Sequence, residues 1–186
     1  LNVSPQALVV LSDYELTVGD MTADNVLQGR PGVQNFIAGG TGSDIITGYS
    51  SSTNFLYGGA EATTNGTDIN NITGGDQRDF IAGGNDTDII NAGSGDDFVA
   101  GGTGNDTING NTGTDFLHGG DGDDTITGGT GDDFIDVGDG TDTLVIGAYA
   151  TDGCDYVLNF AAGDRINFFD ATTYVQAGTV AGADRK

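Results

Sequence analysis

The sequence predicts an all-β chain, a solenoid of parallel strands wound in 18-residue coils with two short strands to a coil. Three observations predict it. From Gly74 to Val145 the chain divides without remainder into eight nine-residue rows: GGDQRDFIA, GGNDTDIIN, AGSGDDFVA, GGTGNDTIN, GNTGTDFLH, GGDGDDTIT, GGTGDDFID and VGDGTDTLV. Every row carries Asp at its sixth place (Asp79, Asp88, Asp97, Asp106, Asp115, Asp124, Asp133 and Asp142). Two residues after each Asp stands an aliphatic residue: Ile81, Ile90, Val99, Ile108, Leu117, Ile126, Ile135 and Leu144.

Each part of a row has a physical reading. Glycine is abundant in the first six places, so the backbone can take φ > 0 and turn tightly. The last three places form a short strand whose middle side chain points opposite to its neighbours. All eight middle residues are aliphatic, so that side faces a narrow interior. Because two rows make a coil, the same turn recurs every second row at about the 4.8 Å strand spacing. This sets Asp88, Asp106, Asp124 and Asp142 in one file and Asp79, Asp97, Asp115 and Asp133 in another. Row by row, the pattern resembles GGxGxDxUx of the repeats-in-toxin (RTX) family, whose members are calcium-binding parallel β-helices. That resemblance implies a right-handed parallel β-roll, bacterial origin and type I export through an uncleaved C-terminal signal.

Files of carboxylates cannot stay bare. Two of them about 4 Å apart repel by roughly 4 kcal/mol at an effective dielectric of 20. The single inward aliphatic of a row contributes about 1.5–3 kcal/mol, too little to hold such files together. A cation is required. Stacked carboxylates with turn carbonyls make an all-oxygen cage, which suits Ca²⁺ rather than Zn²⁺ or copper; Mg²⁺ prefers a strict octahedron and keeps its waters. The carbonyls come from glycines at the second and fourth places: Gly84, Gly93, Gly95, Gly102, Gly104, Gly113, Gly120, Gly122, Gly129, Gly131, Gly138 and Gly140. Pairing adjacent same-side Asp residues gives about six calcium sites or more, and folding is expected to be coupled to binding. Without calcium the expected state is an acidic, Gly-rich disordered chain.

Composition narrows the function classes. The 186 residues include 28 acidic and 5 basic side chains, a formal net charge of −23, which excludes nucleic acid as a partner. There are 34 glycines, which suit repeated turns, and only 2 prolines. No apolar run approaches a membrane span. The single Cys154 rules out an internal disulfide. Weak calcium sites work where calcium is millimolar, so the expected location is extracellular or at the cell surface. The chain opens at Leu1 without a visible signal peptide, and its tail, Ala183 to Lys186, does not resemble the usual apolar end of a type I signal; a processed chain or a fragment is expected.

Taken in order, residues 1–18 contain ALVVLSDYELTV, read as a strand or two packed on or beside the first coil, an N-terminal strand or cap segment. The β-roll is expected over 19–145, in thirteen rows. Those of 19–73 are degenerate and metal-poor: Asn25, Asn35, Asn54 and Asn70 stand in the Asp place, and only Asp44 keeps the carboxylate. Leu27, Ile37, Ile46 and Leu56 keep the inward place. Stacking there is expected through amide and backbone hydrogen bonds, with a loop bulging near Glu61–Thr67. Rows 74–145 are the calcium-binding rows. After Val145 the register is expected to fail, and 146–186 is read as a C-terminal β cap and tail.

The place after each Asx points outward. On one sheet it reads Phe36, Phe55, Phe80, Phe98, Phe116 and Phe134; on the other Val26, Ile45, Asn71, Ile89, Thr107, Thr125 and Thr143. The Phe file makes an apolar stripe of about 24 Å at the strand spacing. It is either covered by the terminal segments or a contact for self-association. The Thr-rich side admits ice binding as a minor alternative, against which Arg78 speaks. Catalysis draws little support: His118 is expected on the surface, and Cys154 has no His beside it. Repeat geometry already accounts for the paired carboxylates. The expected function is a secreted, non-enzymatic, calcium-folded structural or self-assembly module of filament, surface-layer or adhesin type. The alternative is the RTX module of a larger exported enzyme or toxin.

Overall fold

A computed structural model describes residues 9–11, 14–19, 23–59, 68–147 and 153–168. All its regular elements are strands. One sheet holds β1 (Val9–Leu11), β2 (Tyr14–Val18), β4 (Gln34–Ala38), β6 (Asn54–Gly59), β8 (Phe80–Gly84), β10 (Phe98–Thr103), β12 (Phe116–Asp121), β14 (Phe134–Asp139) and β16 (Tyr156–Leu158), in that order. The other holds β3 (Val26–Gln28), β5 (Ile45–Thr47), β7 (Ile69–Gly75), β9 (Thr87–Ser94), β11 (Thr107–Thr112), β13 (Thr125–Thr130), β15 (Thr143–Ile146) and β17 (Arg165–Phe168). Consecutive strands alternate between the sheets from β2 onward, which is the topology of a solenoid of about eight coils.

From β7 to β15 neighbours within each sheet are parallel and in register at the 18-residue repeat: Phe98 pairs with Phe116, and Ile108 with Ile126. The β1–β2 pair is antiparallel, so β1 folds back over the edge of the first sheet. A reversed strand there blunts an otherwise open parallel edge.

The inward places form the core. Ile37, Ile46, Leu56, Ile72, Ile81, Ile90, Val99, Ile108, Leu117, Ile126, Ile135 and Leu144 are all buried, with Leu27 and Val157 packed against them. The two sheets therefore share one column of aliphatic side chains, a single layer thick. Ala92 and Val137, first-place residues where other rows have Gly, are also fully buried and lengthen that column.

The C-terminal end of the roll differs from the sequence expectation. At the N-terminal end β2 lies beside the first coil as a rung in its own right, parallel to β4, with Glu15 opposite Asn35 and Leu16 opposite Phe36. At the C-terminal end the register does not fail after Val145. β16 pairs in parallel with β14, placing Tyr156 against Phe134, and β17 pairs with β15, placing Ile166 against Leu144. The repeat lengthens there from 18 to 22 residues, as the Asp133–Asp155 and Asp142–Asp164 bonds show. The extra residues fall between β15 and β16 while the strands on either side keep their pairing, so a fixed nine-residue count loses a register that the structure keeps. The expected loop near Glu61–Thr67 and the tail from Ala177 lie outside the described residues.

Candidate metal centre

Each sixth-place Asp sits where the turn enters its strand, and its side chain points into the turn. All eight, and Asp44, are buried to at most 1% exposure. The stacking hydrogen bond is the same at each level. The backbone N–H of Asp79 donates to Asp97 Oδ1 at 2.8 Å, Asp97 to Asp115 at 2.8 Å, and Asp115 to Asp133 at 2.9 Å. On the other side Asp88 donates to Asp106 at 2.8 Å, Asp106 to Asp124 at 2.8 Å, and Asp124 to Asp142 at 2.9 Å. One carboxylate oxygen is thus committed to the neighbouring coil.

The other oxygen is not. Oδ2 of Asp44, Asp79, Asp97, Asp106, Asp115, Asp124 and Asp142 is buried with no hydrogen-bond partner. Leaving one such atom unsatisfied costs about 1–3 kcal/mol, more when it is charged. Burial accordingly pushes the carboxyls up, against the backbone N–H bond that favours the anion: Asp79 to about 6, and Asp97, Asp106, Asp115 and Asp124 to about 7. Asp44 and Asp142 are raised for the same reason. The fold holds these groups where an anion is unstable unless something positive meets it.

The turns supply the other oxygens. Gly84, Gly93, Gly95, Gly102, Gly104, Gly113, Gly120, Gly122, Gly129, Gly131, Gly138 and Gly140 have φ between 97° and 154°, which L side chains rarely adopt. Three rows lack one of these glycines; two of them use the residues that best tolerate φ > 0, Asp86 at 70° and Asn111 at 74°, and the third has Gln77 at its fourth place. The carbonyls of most of these glycines lie against the equivalent glycine of the next coil: Gly102 O against Gly120, Gly95 O against Gly113. Among the described residues no three Asp, Glu, His or Cys side chains converge on one point, so any cage here must combine carboxylates with backbone oxygens. Such a hard-oxygen donor set fits Ca²⁺.

First-place glycines have a separate task that sequence reasoning missed. A Cβ on Gly83, Gly101, Gly110, Gly119 or Gly128 would meet Oδ2 of Asp88, Asp106, Asp115, Asp124 or Asp133 closer than 3.0 Å. The bare Cα leaves the room that this oxygen occupies. The invariance of Gly at that place in most rows was the available signal.

A family model described as the RTX calcium-binding nonapeptide repeat matches the chain in four copies, over residues 34–62, 64–99, 92–126 and 109–144. The chain belongs to the RTX repeat family. No curated protein matched the sequence. RTX nonapeptide repeats bind calcium, and they are typical of secreted bacterial proteins. In this RTX chain the carboxylates of Asp79 to Asp142 and the turn carbonyls are the groups that would hold the ions. Bound calcium would supply the positive charge that buried Oδ2 atoms lack.

In the N-terminal RTX rows, neutral groups repeat the same contacts. Asn25 N–H donates to Asp44 Oδ1 at 2.8 Å, Asp44 N–H to Asn70 Oδ1 at 3.0 Å, and Asn35 Nδ2 to Asn54 Oδ1 at 2.9 Å. Asn54 donates from backbone and amide to Asp79 Oδ1 at 2.7 and 2.8 Å. At the first coil Glu15 takes the Asx place and meets Arg30 at 3.1 Å, a cation carried by the chain itself.

The fifth places, which looked mixed in the sequence, form a second ladder of opposite polarity. Asp96 Oδ1 accepts from Thr114 N–H at 3.1 Å, Asn105 from Asp123 at 2.9 Å, Asp123 from Thr141 at 2.9 Å, and Asp132 from Cys154 at 2.9 Å. Here the later coil donates to the earlier one. Each turn is stitched inside and outside in opposite senses.

Proposed function

We propose that this RTX chain is an extracellular structural module, exported unfolded by a type I route, that calcium folds into a rigid β-roll capable of self-assembly. The files of buried Asp carboxylates with an unpartnered oxygen carry this reading, because they make the neutral-pH fold conditional on a divalent ion. The module is read as non-catalytic. His118 lies exposed on the sheet face at 3.5 Å from Asp136, and Cys154 is exposed in a turn, so neither is set beside a nucleophile–base partner. Millimolar calcium suffices to load weak all-oxygen sites and is met outside the cell.

Circular dichroism and size-exclusion chromatography at pH 7.5, in millimolar calcium and then in excess chelator, test it. Expected results are a β spectrum and a compact particle with calcium, and an expanded coil without it. A chain that stays β and compact in chelator defeats the proposal. Native mass spectrometry of the loaded form should count about six ions, from pairing of adjacent Asp residues.

A further inference from the structure

The outward face of the first sheet is built as a ridge beside a trough. The ridge is Phe36, Phe55, Phe80, Phe98, Phe116 and Phe134, stacked with ring centroids 4.5–5.2 Å apart and planes within 5° of parallel. Two residues further along the strands lie Ala38, Ala82 and Ala100, small side chains that leave an apolar groove beside the rings, with Tyr57, His118 and Asp136 at the other levels. Four of the rings remain 38–43% exposed, and among the described residues nothing lies across them. The described part of the N-terminal segment extends the sheet edge and does not cover its face.

We propose that this face pairs with the same face of a second copy, the Phe ridge of each seated in the Ala trough of the other. The inference rests on the chain being a calcium-folded assembly module and names the partner and the surface. Three observations carry it. Charge comes first: on a chain of net −23, the described mid-strand outward places of this sheet hold just two side chains that can carry charge near neutral pH, His118 and Asp136, and these face each other at 3.5 Å. An acidic partner gains nothing there, whereas a second copy brings an equally uncharged face and keeps its turn carboxylates at the rim.

Shape is the second. A two-fold axis parallel to the solenoid axis puts ridge over trough on both copies at the same level, so that Phe80 and Phe98 of one copy lie over Ala82 and Ala100 of the other. A two-fold along the strands would instead set ridge on ridge. Isologous pairing of this kind is closed, giving a dimer and not a fibre.

Area is the third, and it sets the strength. Eight rungs at the strand spacing and about 10 Å of strand give about 340 Å² per copy, about 700 Å² in all. Stable complexes bury about 1,200–2,000 Å², so this pairing is weak and concentration-dependent.

Sedimentation equilibrium of the full chain in millimolar calcium, from micromolar to millimolar protein, tests the proposal. The mass should climb from 18.8 kDa toward twice that value. Ala100→Arg, which fills the trough, and Phe98→Ser, which notches the ridge, should each weaken pairing at least about tenfold, as central anchors do. Thr125→Arg on the opposite sheet should leave it unchanged. Circular dichroism in calcium confirms that each variant has folded. A folded chain that stays monomeric at millimolar concentration overturns the pairing while calcium folding stands; so does association that survives Ala100→Arg or disappears in Thr125→Arg.

Discussion

Acid should do part of what calcium does. Removing calcium with chelator at neutral pH leaves Asp97, Asp106, Asp115 and Asp124 in a fold that raises each carboxyl from 3.8 to about 7. Each shift corresponds to about 4 kcal/mol; Asp97 and Asp115 repel each other, as do Asp106 and Asp124, so the four do not add independently, but even two such groups reach about 8 kcal/mol, comparable to the about 5–15 kcal/mol that stabilises an ordinary domain. A raised pKa means the folded chain binds protons more tightly than the unfolded one. The stabilisation is therefore fully present below pH 3.8 and is lost as pH rises through about 6 to 7, the range set by Asp79 and its four neighbours. The assay is far-ultraviolet circular dichroism in chelator from pH 8 down to 5, ending above the isoelectric point near 4.1, where the chain would precipitate. The β signal should be missing at pH 8 and grow as pH falls below about 6, whereas calcium at pH 7.5 should give it at once. A chelated chain that is fully β at pH 8, or one whose spectrum does not change between pH 8 and 5, refutes the reasoning.

Asp115→Asn should act with opposite signs in the two conditions: the amide keeps an acceptor for Asp97 N–H but removes a buried charge. In chelator the variant's β signal should appear at a higher pH than the parent's as pH falls from 8 to 5, and native mass spectrometry should find one or two ions fewer in calcium. Gly110→Ala sets a methyl group against Asp115 Oδ2, so titration calorimetry should show calcium affinity near Asp115 falling about tenfold with the other sites retained. Ile108→Ala opens a cavity in a core one residue thick and should cost about 2–5 kcal/mol, seen as a higher calcium concentration at the folding midpoint.

Much of this was legible because a solenoid makes tertiary structure local. Once Asp recurs every nine residues, its neighbour in space is the residue 18 positions on, and the same-side order Asn25, Asp44, Asn70, Asp88 follows directly; the hydrogen bonds keep that order. The inward file was legible for the same reason. What escaped depends on contacts that composition does not display. The first-place glycines look like further turn residues until the carboxylate beside Gly110 is seen. Fifth-place acceptors are Asp, Asn or Ser in different rows, so chemical likeness hides behind unlike letters. The last coil escaped because four additional residues fall between β15 and β16, and a nine-residue template has no tolerance for them.

Neutral rungs at one end and anionic rungs at the other leave the roll unevenly thirsty for metal. Asn25, Asn35, Asn54 and the Arg30–Glu15 pair fill their places with groups that need no ion, and Asp44 is the one buried Asp of those rungs, so the opening coils offer a nearly finished edge on which the acidic coils can add as calcium arrives. Winding then has a starting point and a heading, from the amide end toward Asp142, in a molecule whose repeats by themselves specify neither.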